Sequence, residues 1–174
     1  EDIEKALISG ADKVSLNTIF HEDLSLIKKI VNIFGNQAIV GSIEAKKIKG
    51  EWVAFTDNGR TNTNKNVLEW IKRLQDEGVG EIVLTSVDFE GTQKGFDLQL
   101  LNKVNSIVNV PLILSGGIGS INDIKNIFNI SCSSGVTISS ILHYDKLKIR
   151  EIKNEITGDN IIKKVNINKQ KQKV

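Results

Sequence analysis

The stretch Val110-Pro111-Leu112-Ile113-Leu114-Ser115-Gly116-Gly117-Ile118-Gly119 decides the fold. A short apolar run enters through a proline, ends on a serine and two glycines, and runs straight into a helical pattern at 120–129. That reads as a buried strand, 110–115, turning tightly into a helix. The same grammar repeats outward in both directions. Before it come a strand at 81–87 and a helix at about 97–108; after it come a strand at 135–139 and a last helix at about 146–156. Further upstream are a helix at 1–9, a strand at 13–17, a helix over about 22–34 closed by Gly35, and a strand at 38–45. A polar excursion fills 46–65, and a helix at 66–77 ends at Gly78.

Five strands alternating with helices imply right-handed βαβ units on a parallel sheet, with no Pro/Ser-rich linker and no low-complexity block. The strand ends choose between an open doubly wound sheet and a (β/α)8 barrel. Polar or glycine residues close every strand: Asn17-Thr18, Glu44, Asp88, Ser115-Gly116-Gly117 and Ser139-Ser140. A barrel gathers all its strand ends on one face, whereas an open sheet uses mainly its switch point. The expectation is α/β, a partial phosphate-binding (β/α)8 barrel with about five C-terminal βα units. A full barrel needs roughly 250 residues, so about three strands are expected to lie upstream. The barrel part spans 1–157, and a basic tail occupies 158–174.

The 174 residues are 40% hydrophobic and 25% charged, with a net charge of +2, an ordinary balance for a globular domain. No apolar run is long enough for a membrane span, and Glu1-Asp2-Ile3-Glu4 lacks the features of a secretion signal. A lone Cys132 excludes an internal disulfide framework and fits a reducing cytoplasm. The tail lysines 163, 164, 169, 171 and 173 read as a solvated terminus, and the scarcity of aromatics argues against nucleic acid.

Chemistry is expected at the strand ends. Gly116 and Gly117 let backbone N–H groups approach an anion at a helix start, and Ser139-Ser140 supplies further donors one strand later, the usual barrel phosphate grip. Strand alternation puts Lys13, Ser15 and Asn17 on one face, with Asn17 and Thr18 at the rim and Lys13 at the opposite mouth. Glu81, Val83 and Thr85 share a face likewise, and a buried Glu81 needs a cation, for which Lys13 is the candidate. Glu44, ending its strand, suits a general acid/base. His21 and His143 read as surface or helix-end residues, and no metal cluster or nucleophile triad is visible.

These residues carry a resemblance. Gly10-Ala11-Asp12-Lys13-Val14-Ser15-Leu16-Asn17-Thr18, Thr56-Asp57-Asn58-Gly59-Arg60, Gly80-Glu81-Ile82-Val83-Leu84-Thr85-Ser86-Val87-Asp88 with Gly91-Thr92, and Ser115-Gly116-Gly117 resemble the cyclase subunit of imidazole glycerol phosphate synthase. So does the ending Ile141-Leu142-His143-Tyr144 and Arg150-Glu151-Ile152-Lys153. The likeness implies a lyase of histidine biosynthesis without a cofactor, paired with a glutaminase subunit as a heterodimer. Ammonia from that partner joins a bis-phosphorylated ribulosyl-formimino carboxamide ribonucleotide, giving imidazole glycerol phosphate and aminoimidazole carboxamide ribonucleotide. By motif, Lys13 and Glu81 match the ammonia gate. Asn17 and Thr18 match one phosphate site, and Gly91, Gly117, Ser139 and Ser140 match the other; Thr85 and Asn58 line the cleft. The family's two catalytic aspartates end the first and fifth barrel strands. The first falls upstream of this chain, and Glu44 stands at the second, one methylene longer. Alternatives are a surface-sugar amidination paralogue shaped around Glu44 and an inactive truncated product.

Overall fold

The computed structural model describes residues 1–131 and 133–158, so Cys132 and the tail beyond Gly158 lie outside the described residues. Eight α-helices and seven strands follow in order: α1 (Asp2–Ile8), β1 (Val14–Leu16), α2 (Thr18–Glu22), α3 (Ser25–Phe34), β2 (Ile39–Ile48), β3 (Glu51–Thr56), β4 (Thr61–Asn66), α4 (Val67–Asp76), β5 (Glu81–Ser86), α5 (Leu98–Asn105), β6 (Leu112–Ser115), α6 (Ile121–Ile130), β7 (Gly135–Val136), α7 (Ser140–His143) and α8 (Ile149–Gly158). The parallel strands run β1-β2-β5-β6-β7, an arc of (β/α) units in which each strand pairs with the next one along.

Register explains which residues are buried. Ile39, Gly41, Ile43 and Ala45 alternate with Val40, Ser42, Glu44 and Lys46, and the same alternation passes to Ile82 and Leu84, then to Leu112 and Leu114. The apolar set is buried beneath the helices. Helix α4 shows how a helix is fitted to it. The Asn66 side chain caps it by accepting from the N–H groups of Leu68 and Glu69, and Val67, Trp70, Ile71 and Leu74, at helical spacing, are buried. Each such aliphatic side chain contributes roughly 1.5–3 kcal/mol through the surface it removes from water.

The five expected strands are all present, but three details differ. The polar excursion at 46–65 is ordered. β2 continues to Ile48, folds back as β3, and β3 pairs antiparallel with β4. β3 carries Trp52 and Phe55 into the core, whereas β4 is Thr-Asn-Thr-Asn-Lys-Asn and has no apolar alternation to reveal it. Only its partner strand makes it a strand. The expected helix over about 22–34 is present as α3 from Ser25, and a separate short helix, α2, precedes it; between them Asp23 is extended and its Oδ1 accepts from the Ser25 N–H and hydroxyl at 3.0 and 2.7 Å. The expected strand 135–139 shortens to Gly135–Val136, with Thr137 N still donating to Leu114 O at 2.8 Å. No helix among the described residues is long and apolar enough to cross a membrane.

Candidate functional site

The polar face of the arc starts with an ion pair. Lys13 Nζ donates to Glu81 Oε2, with the glutamate buried and the lysine half-exposed. Both sit at the N-terminal ends of their strands, so the pairing expected from alternation is present. It neutralises a carboxylate that would otherwise be buried alone.

Moving toward the C-terminal ends, Ser42 pairs with Val83, and Glu44 with Thr85, which in turn pairs with Ser115. Glu44, Thr85 and Ser115 therefore lie in one row across three strands. Glu44 is half-buried, and its Oε2 accepts from the backbone N–H of Gly59 at 2.7 Å. That N–H comes from the turn between β3 and β4, where Asp57, Asn58 and Gly59 all have positive φ (56°, 56° and 73°). Asn58 is exposed on the turn.

At one end of the arc, Asn17 Nδ2 donates to Phe55 O at 3.2 Å, while its Oδ1 is buried without a partner among the described residues. The bond to Phe55 fixes the amide orientation, so an acceptor and one amide hydrogen are left for a ligand. Thr18 follows, exposed, as the first residue of α2.

At the other end a small cavity is lined by Glu90, Gly91, Ser115, Gly116, Gly117, Ile118, Thr137, Ser139 and Ser140. Gly91, Gly116, Gly117, Ser139 and Ser140, the residues expected at an anion site, all line it. The helix start itself is engaged, because the N–H groups of Gly119 and Ser120 both donate to Asp123 Oδ2 in a capping box. The donors that line the cavity are thus those of the Gly116–Ile118 backbone and the serines, and no residue of the first turn of α6 is among its walls. Gly117 has φ +86°, and a Cβ there would lie 2.1 Å from Gly95 O. Only glycine lets these two loops approach, with Gly95 N donating to Gly117 O at 2.8 Å. The exposed Glu90 carboxylate is the one adverse charge on this cavity.

His21 lies in the last turn of α2 and stacks on Trp70 at 4.3 Å between ring centroids. Lys65 lies over the other partner of that stack, 4.3 Å from the Trp70 centroid, and its Nζ donates to His21 O. Burial first, and then the Lys65 charge, lower the His21 pKa to about 4. Lys65 is itself pushed down, by desolvation and then by Arg73. His143, in the last turn of α7, is exposed as expected. A second, open cavity beside Trp70 is lined by Asn64, Lys65, Asn66, Glu69 and Arg73, and none of the expected site residues reach it.

Sequence reasoning did not single out Gly59 as a site residue, nor Glu90 and Thr137 as cavity walls. Gly59 could not be assigned because its contact depends on a hairpin that the polar β4 conceals.

Comparison with known proteins fits this geometry. A sequence model of the family described as "Histidine biosynthesis protein" matches residues 1–148. The chain is similar to "Imidazole glycerol phosphate synthase subunit HisF" of Saccharolobus solfataricus, 38% identical over 92% of this chain and 64% of the relative. It is similar to the protein of that name from Prochlorococcus marinus strain MIT 9312, at 46% over 87% and 60%, and from Clostridium botulinum, at 39% over 88% and 61%. The chain thus spans about 60–64% of the length of these curated relatives. With the family model matched over most of its length, and with strand-end residues placed on one face of a parallel arc, the chain belongs to the histidine biosynthesis protein family.

Proposed function

We propose that this chain carries the C-terminal units of a cyclase that adds ammonia to a bis-phosphorylated ribulosyl-formimino carboxamide ribonucleotide, releasing imidazole glycerol phosphate and aminoimidazole carboxamide ribonucleotide. One arrangement carries the reading. Glu44, on β2, lies between Asn17 and Thr18 at one end of the arc and the Gly91/Gly116/Gly117/Ser139/Ser140 cavity at the other. An elongated substrate with a phosphate at each end spans such a row, which places its middle over a carboxylate able to move protons. Thr85, paired with Glu44, and Asn58, on the turn that contacts it, serve as cleft donors.

Ammonia is supplied by a glutaminase subunit at the opposite mouth, where Lys13 and Glu81 form the gate. Ile8, Ile33 and Ile130 support a docking face there. They lie in the last turns of α1, α3 and α6, at the same end of the sheet as the gate, and are 80%, 71% and 43% exposed.

The test uses the full-length protein with ammonium salts, which bypass the glutaminase, and follows formation of both products. Glu44→Gln keeps size and hydrogen-bonding reach but cannot transfer a proton. Turnover is expected to fall by ~10²–10⁴-fold. Glu44→Asp, which restores the shorter acid of the resembled family, is expected to keep or raise it. Wild-type turnover in Glu44→Gln would reduce Glu44 to a rim charge and end the assignment.

A further inference from the structure

We propose that Gly59 is a positioning residue for Glu44, fixing the carboxylate through a backbone donor. The proposal rests on the reading of Glu44 as the acid/base. Gly59 is buried, and its N–H lies 2.7 Å from Glu44 Oε2. Glu44 Oε1 has no hydrogen bond among the described residues, so the contact divides the labour: one oxygen is held and the other is free to take and return a proton. A backbone amide suits this task. It does not titrate, and it comes from a hydrogen-bonded turn, closed by Arg60 N donating to Thr56 O at 3.1 Å.

Two features disfavour a side chain at this position. Its φ is +73°, and a Cβ there would sit 2.7 Å from Val87 Cγ1. Val87 opens the loop that leads to Glu90 and Gly91, so the turn sits between Glu44 and the start of that loop.

The rest of the hairpin is held by that same region. Trp52 Nε1 donates to Asp97 Oδ2 at 2.9 Å with both residues buried, while Asp97 Oδ1 accepts from the Gln99 and Leu100 N–H groups and caps α5. Lys47 N donates to Asp88 Oδ2 at 2.7 Å. β3 is therefore tied at one end to α5 and at the other, through Gly59, to the acid. The β3–β4 hairpin acts as a bracket over the row of strand ends.

The test compares Gly59→Ala with Gly59→Ala/Val87→Ala in the full chain, reading kcat and KM with ammonium salts and amide exchange at residue 59. Gly59→Ala should lower kcat by ~10²-fold, the scale of a 1 Å misplacement, with KM for the bis-phosphate little changed. Removing the Val87 methyls should return the part of that loss owed to the clash, together with amide protection, and leave the part owed to the positive φ. In otherwise native protein, Glu44→Ala should expose the Gly59 amide to exchange, whereas Glu44→Gln, still an acceptor, should not. Unchanged kcat in Gly59→Ala, or equal exchange at Gly59 in wild type and Glu44→Ala, would overturn the proposal. Absence of wild-type turnover would overturn the functional reading instead, and the exchange comparison then decides the contact by itself.

Discussion

His21 shows what one side chain can record of its surroundings. Its ring is half-buried on Trp70, both ring nitrogens lack partners among the described residues, and Lys65 donates to its carbonyl, so protonation would place a second cation against the first. The folded pKa is about 4, against 6.5 for the free side chain. A histidine with a depressed folded pKa contributes stability that is complete above 6.5 and is lost as pH falls toward 4, because the unfolded chain takes up the proton first. For a ring that solvent still reaches, the loss is about 1–2 kcal/mol. His21→Phe keeps a stacking ring and removes the titration. Thermal melts across this window should show a shallower acid decline in His21→Phe than in wild type. Parallel declines would show that the stack does not control protonation.

Among the elements, the loops after β5 and β6 matter most, because their conformations are interlocked at Gly95 and Gly117. A charge placed at Gly117 would break the loop before it could report on a ligand. Gly91 is the cleaner probe. It lines the anion cavity, and a Cβ there meets nothing within 4 Å, although φ is +72°. Asn and Asp tolerate that backbone region better than other residues. Gly91→Asp should therefore raise KM for a bis-phosphate ligand by repulsion, while the isosteric Gly91→Asn changes it far less. Equal KM values in the two variants would remove this cavity from the substrate site.

For the whole molecule, the ion pair and the sheet edges make separate predictions. Lys13→Met leaves Glu81 buried without its cation, which should destabilise the fold by about 1–3 kcal/mol. If the pair gates ammonia, glutamine-dependent turnover in the complex should drop while turnover with ammonium salts is retained. An equal loss in both assays would make the pair structural only. β1 and β7 each pair on one side only among the described residues. Open strand edges template association, so the 174 residues expressed by themselves should melt broadly and in a concentration-dependent way. A sharp melt independent of concentration would mean that the edges are covered.

The sequence by itself determined the parallel α/β architecture, because a buried strand or helix face must be apolar with period 2 or about 3.6 wherever it sits. Alternation likewise put Lys13 and Glu81 on a common face, and chain order placed Gly116-Gly117 and Ser139-Ser140 on neighbouring strand ends. Tertiary structure alone decided the rest. Thr61–Asn66 has no strand signal of its own and is extended only because β3 lies beside it. From that pairing follows the turn that brings Gly59 to Glu44, fifteen residues back along the chain. The capping box that withdraws Gly119 and Ser120 from anion binding depends on the backbone path of the turn. Periodicity encodes which side of an element is buried. Which donor faces which acceptor across a turn is set by register, and register exists only once the strands have paired.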